Sequence, residues 1–167
     1  KEVIFLPKAT QRFDPRQTMQ GETYEIFHYL DLKTRHLDAH YHDFYEINIV
    51  LKGNGYHQIN NSDSAFNVQQ GDVFVIPPMV AHSYYNTQHL EVYHILLKKS
   101  FVRKSKIYSA NAPGFLQLME IEPFFRKNYS DAMFLHLTPS RLMELMQDFR
   151  FIESNSLFDK KDFYPFH

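Results

Sequence analysis

Across residues 23–97, short runs of β-branched and aromatic residues alternate with clusters of turn-forming residues, the pattern of a small all-β sandwich or barrel. The runs are TYEIFHYLDL, FYEINIVL, GYHQI, AFNV, DVFVI, HSYYN and EVYHILL, and each predicts a strand. Between them, GNG at 53–55, NNSDS at 60–64 and QQGD at 69–72 are rich in residues that tolerate positive φ, so they are read as hairpin-like connections. A strand plus its turn takes roughly ten residues, which leaves no room for crossover helices, and the sheets are expected to be antiparallel.

The texture changes after residue 97. KKSFVRKSK at 98–106 is a basic run, read as a solvated connector or, alternatively, an anion-binding patch. Beyond Pro113 the apolar residues adopt helical spacing. In LTPSRLMELMQDFRFIE, Thr138 can cap a helix, Pro139 suits its first position, and Leu137 can staple onto Leu142. Leu142, Leu145, Met146, Phe149 and Ile152 then mark one face. That face packs either on the chain's own β domain or on a second copy, and self-association through it is expected if the barrel leaves it bare. Ahead of the barrel, Pro7, Pro15 and Gly21 argue against regular structure, while Phe5, Leu6 and Phe13 supply apolar groups. The chain therefore divides into an N-terminal arm at 1–22, a β-barrel at 23–106 and a helical tail at 107–167, with no internal repeat or low-complexity tract.

Composition narrows the function. A chain of 167 residues suits one compact domain, and a net charge of -1 gives no global attraction to nucleic acid or an anionic membrane. Zero cysteines exclude disulfides and thiolate metal sites, which fits a cytoplasmic location and leaves only N and O ligands for any metal. No apolar run approaches the roughly 18 residues of a membrane span, and the start, KEVIFLPKATQRFD, lacks a signal peptide's apolar core. Opening on Lys rather than Met and stopping at DFYPFH, the chain is expected to be a piece of a longer protein. It has no GxSxG with triad partners, no phosphate-binding glycine loop and no nucleic-acid recognition motif.

The stretch HYHDFYEINIVLKG at 40–53 is where chemistry concentrates. Because side chains alternate across a strand, His40, His42, Phe44, Glu46, Asn48 and Val50 share one face, and two imidazoles with a carboxylate can converge on one cation. The alternative is scattered surface or core-rim histidines in a chain that has ten of them. A second stretch, GDVFVIPPMVAHSYYN at 71–86, ends a strand at a Pro-Pro turn and begins the next at His82, which can bring a fourth ligand. Parity turns Tyr84 and Asn86 inward with His82, and puts His94 on a late strand with Val92 and Leu96. With Phe44 and Asn48 these are ligand-contact candidates, or else residues satisfied at the core rim. Tyr56, His57 and Gln58 cannot be ranked.

These two stretches resemble the paired motifs of the cupin superfamily. The first motif has His40, His42, Glu46 and Gly53 in register; the second has Gly71, Pro77, His82 and Asn86, with Met79 where glycine is usual, a departure that touches turn geometry and not a ligand. The resemblance implies a mainly β double-stranded β-helix, or jelly-roll barrel, followed by C-terminal helices. His40, His42, Glu46 and His82 would point into its mouth as ligands for a divalent transition metal, whether Zn, Fe, Mn, Ni or Cu. HYHDFYEINIVLKGNGYHQI, QQGDVFVIPPMVAHSYYN, EVYHILL and FLQLMEIEPFFRKNY together most resemble the N-terminal sensor domain of bacterial arabinose-regulator (AraC) type transcription factors. That family implies a small effector, often a sugar, bound in the barrel, an arm closing over it, a homodimer through the trailing helices, and DNA bound only by a separate C-terminal domain outside this chain. It implies no enzyme activity; a metal-dependent cupin oxygenase or isomerase is the alternative.

Overall fold

The computed structural model describes residues 11–12, 24–30, 36–59, 65–108, 113–121, 123 and 135–155. Its strands are β1 (Gln11–Arg12), β2 (Tyr24–Leu30), β3 (His36–Tyr41), β4 (Tyr45–Ile59), β5 (Ala65–Gln69), β6 (Asp72–Ile76), β7 (His82–Leu97) and β8 (Leu135–His136). Its helices are α1 (Lys99–Tyr108), α2 (Pro113–Leu116), which continues into a π-helical turn at Gln117–Ile121, and α3 (Pro139–Asn155).

β4 and β7 form the spine. They run antiparallel from Tyr45 opposite Leu97 to Ile59 opposite His82, with register shifts between Val50 and Tyr56 where both strands bend. On one side of the bend, β2 pairs with β7 and β6 with β4; on the other, β3 pairs with β7 and β5 with β4. Two antiparallel ribbons thus share β4 and β7, and the fold is a double-stranded β-helix, as the motif resemblance implies.

The bend overturns the hairpin expected at GNG. Gly53 has φ 75, and a Cβ there would collide with the carbonyl oxygens of Gln88 and His89, so the two backbones cross where only glycine fits. FYEINIVL and GYHQI are therefore one strand, as are HSYYN and EVYHILL. QQGD is not a hairpin either: β5 and β6 both pair with β4, and the corner between them is tied to it by Gly71 N–H donating to Val50 O at 2.9 Å. NNSDS lies outside the described residues, flanked by antiparallel pairing of Gln58 with Ala65. The antiparallel expectation holds except at β1, which runs parallel to β3 with Gln11 opposite His40. Two arm residues therefore adopt a regular strand; Phe5, Leu6 and Phe13 lie outside the described residues.

Alternation sorts the core into an inner and an outer layer. Val50, Phe74, Ile76, Tyr84 and Val92 fill the barrel, while Ile49, Val73 and Tyr93 face outward under α3. That outer layer receives Leu142 and Phe149, both buried, with Leu145 and Met146 packed beside them and the Tyr93 and Phe149 rings 5.0 Å apart. The chain's own barrel covers the helical stripe, the first of the two expected packings, so the condition for self-association through that stripe is not met; the side chain of Ile152 lies outside the description. Thr138 caps α3 as expected, its Oγ1 accepting Arg141 N–H at 3.4 Å, and Leu137 and Leu142 pack in one cluster as the staple requires. The basic run is helical rather than a loose connector, because Val102 docks against Leu97 and Met119. No helix among the described residues is long and apolar enough to cross a membrane.

Candidate metal centre

The bend between β3 and β4 sets the site. β3 ends at Tyr41 and β4 starts at Tyr45, so His42 sits on the corner while His40 and Glu46 stand on the strands either side. His40, His42, Phe44, Glu46, Asn48 and Val50 are all buried, so the shared face survives the break between the strands. β7 brings His82 directly opposite His40.

One ligand atom from each of His42, Glu46 and His82 lies within 4.8 Å of the others. His42 Nε2 is 3.2 Å from Glu46 Oε2, and His82 Nε2 is 4.0 Å from Glu46 Oε1. His40 stands outside that triplet and touches it through His82, with 4.2 Å between ring centroids.

The backbone selects the tautomers. His40 Nδ1 donates to Asp38 O at 2.9 Å, His42 Nδ1 to Phe44 O at 2.9 Å and His82 Nδ1 to Val80 O at 3.2 Å. A carbonyl can only accept, so each Nδ1 carries a proton and each ring, when neutral, presents its lone pair at Nε2. Such donation from the distal nitrogen to a backbone carbonyl is the usual support of a metal-bound imidazole. At His42 this has a sharp consequence. Its Nε2 is buried and makes no hydrogen bond of good geometry, yet it faces a carboxylate oxygen at 3.2 Å. Two acceptors in apposition require a proton or a cation between them. Two atoms each about 2.0–2.2 Å from one Zn ion, at coordination angles of roughly 90–110°, would lie roughly 2.8–3.6 Å apart, so the separation fits.

Electrostatics agree. Burial lowers the pKa of His40 and, with neighbouring His40 adding to it, takes that of His82 well below 6.5, so both rings are neutral donors. Burial alone would raise Glu46, but His94, which donates to one carboxylate oxygen, and His42 beside the other outweigh it and hold the carboxyl well below 4.5; at His42 that effect belongs to the protonated ring, the alternative to a cation between the two atoms.

The remaining candidates separate. Phe44 stacks on the His42 ring at 4.1 Å between centroids, supporting it rather than facing open space. Tyr84 OH donates to Asn48 Oδ1 at 3.1 Å across the interior. His94 donates from Nδ1 to Glu46 Oε1 at 3.0 Å. Asn86, expected to face inward, is exposed: it takes φ 50 in a bulge where three residues of β7 pass two of β4, and the extra residue breaks the alternation. His57, which the sequence could not rank, is fully buried among Phe66, Phe74 and Tyr84, 5.6 Å from the His82 ring. Its parity is hidden because the Gly53 bend lies between it and Glu46.

A barrel closed around an imidazole-carboxylate cluster, trailed by helices that pack on its outside, agrees with the family comparison: the model of the AraC-like ligand binding domain matches residues 23–157. The chain belongs to that family. Among curated proteins it is similar to the HTH-type transcriptional activator RhaR of Pectobacterium carotovorum subsp. carotovorum, 35% identical over 75 residues, or 45% of this chain and 26% of that protein. It is also 33% identical over 76 residues to RhaR of Escherichia coli (strain K12), or 46% of this chain and 26% of that one. The chain thus matches about a quarter of the length of these relatives. Among solved structures, an RmlC-like cupin from Methanocaldococcus jannaschii aligns over 52% of this chain and 78% of its own, at 19% identity and TM-score 0.43.

Proposed function

We propose that this AraC-like ligand binding domain is the effector-sensing part of a bacterial transcription regulator, acting inside the cell, and that a divalent transition metal in the barrel is part of its effector site. The observation that carries the metal is the apposition of His42 Nε2 and Glu46 Oε2 among imidazoles whose tautomers are already chosen. His42, Glu46 and His82 would hold the ion, with His40 beside them as a fourth donor. Zn, Fe, Mn, Ni and Cu all accept such a set. When bound, the ion supplies an electrophilic centre for an oxygen donor of the effector, a sugar hydroxyl being one candidate. Tyr84, Asn48 and His57 would line the remainder.

The relatives are transcriptional activators, which favours sensing over a metal-dependent oxygenase or isomerase. DNA contact belongs, on this reading, to a segment outside the chain. A ligand shifts an equilibrium only by binding two arrangements unequally. The arm is the first choice for what rearranges, because β1 is hydrogen-bonded to β3 at the level of His40. Homodimerisation, with the α3 stripe occupied by the barrel, would use the opposite face of that helix, where Met143 and Phe151 are exposed.

The test is metal content and ligand response together. Purified domain should bind one Zn(II) per chain with a rise in Tm, and His42→Ala should weaken binding at least tenfold while still folding. The metal-loaded form should then gain Tm with at least one member of a panel of monosaccharides. Undiminished Zn(II) binding in His42→Ala would remove the metal from this site, and a panel without response in either form would remove sugar sensing.

A further inference from the structure

We infer that His94 is a positioning residue: by donating to Oε1 of Glu46 it fixes the rotation of the carboxylate, so that Oε2 faces His42 and Oε1 faces His82 across the cation site. This deepens the metal reading above and rests on it.

The contact is Nδ1 to Oε1 at 3.0 Å, between side chains that are 8% and 7% exposed. An ionised carboxylate oxygen only accepts, so the proton lies on His94 Nδ1. The sheet explains the reach. Glu46 pairs with Leu96 and Asn48 with His94 across β4 and β7, which makes Glu46 and His94 diagonal neighbours on one face, a separation that long side chains span. Leu96 packs with Phe44, and Phe44 stacks on His42, so the carboxylate's supports and the imidazole's supports are one packed unit.

The consequence concerns orientation. A free glutamate can rotate about its last torsion, which is broad and two-fold. With Oε1 held by His94, Oε2 lies 3.2 Å from His42 Nε2 and Oε1 4.0 Å from His82 Nε2, so the carboxylate is presented to both imidazoles in one fixed rotation. His94 is thus distinct from the ligands: it acts on the ion only through Glu46.

The test uses Zn(II) and Co(II) as probes on the purified domain. His94→Leu removes the donor; His94→Asn keeps an N–H near the position of Nδ1. In His94→Leu the Zn(II) affinity, measured by chelator competition, should fall 10- to 100-fold, the usual cost of losing an outer partner of a ligand. The visible spectrum of its Co(II) form should change as the released carboxylate rotates against the ion. His94→Asn should restore affinity to within a few-fold and restore the spectrum. If His94→Leu does not fold, His94→Gln replaces it, because its amide nitrogen lies beyond the Nδ1 position and should give the same losses. Unchanged affinity and spectrum in the donor-deleted variant would overturn the proposal, as would a folded His94→Asn that is as impaired as that variant, which would make His94 itself a ligand. Retention of the ion by wild type and its loss in His42→Ala supports the metal reading whatever His94 does, so the two failures are separable.

Discussion

Met79 stands where the motif that the sequence resembles has glycine, and its backbone takes the conformation that favours glycine. Its φ is 66, in the left-handed region that costs a β-carbon about 1–2 kcal/mol, and its side chain is 58% exposed, so little packing offsets the strain. Its N–H donates to His42 O at 2.7 Å, which ties the Pro77 turn to the corner that carries a metal-ligand candidate. Met79→Gly relieves the strain but loosens the unfolded chain, and the two together should leave the domain more stable by about 0.5–1 kcal/mol. Urea denaturation should show a higher midpoint at unchanged slope. A lower midpoint would mean that the exposed thioether makes contacts that outweigh the strain. The departure from the motif was visible in the sequence, but whether the position still adopts positive φ was not, since residues other than glycine usually force a turn to change type.

At the scale of elements, α3 divides its apolar residues between two faces. Leu142 and Phe149 are buried on Ile49, Val73 and Tyr93, whereas Met143 and Phe151 point away from the barrel, 61% and 69% exposed. Phe149→Ala should therefore cost about 3–5 kcal/mol of stability, the range for a large aromatic lost from a packed site. Phe151→Glu should leave the denaturation midpoint nearly unchanged but lower the sedimentation coefficient if the outer face joins two copies. A Phe149→Ala variant as stable as the parent would show that the helix does not dock on the barrel in solution. The same sedimentation coefficient for Phe151→Glu and parent would exclude the outer face as the interface. The 3.6-residue periodicity identified the stripe and its cap, because both are properties of one helix. It could not say which surface the stripe meets.

For the whole molecule, the buried cluster sets how stability responds to acid. His40 and His82 have folded pKa values below the 6.5 of the unfolded chain, so below pH 6.5 the unfolded state takes up protons that the folded state refuses, and stability falls as pH falls. Glu46, held below 4.5, adds a second loss that begins only below that value. Each histidine can contribute up to about 1.4 kcal/mol per pH unit, so the metal-free domain should lose stability measurably between pH 6.5 and 5. Urea midpoints at a series of pH values check this, and His82→Gln should flatten the slope; a flat profile in the parent would mean that the two rings take up protons in the fold as readily as in the unfolded chain. The β class, the cap of α3 and the shared face of His40, His42 and Glu46 were legible in the sequence alone, because the direction of a side chain along a strand and the closing of a helix end are local properties; that His82 joins them was implied only by the motif resemblance. The merging of four expected strands into β4 and β7, the bulge that turns Asn86 out, the covering of the helical stripe and the hold of His94 on Glu46 belong to the tertiary structure. Each depends on the register between distant segments, Glu46 and His94 being 48 residues apart, and no local pattern of polar and apolar positions encodes which residue of one segment lies opposite which residue of another.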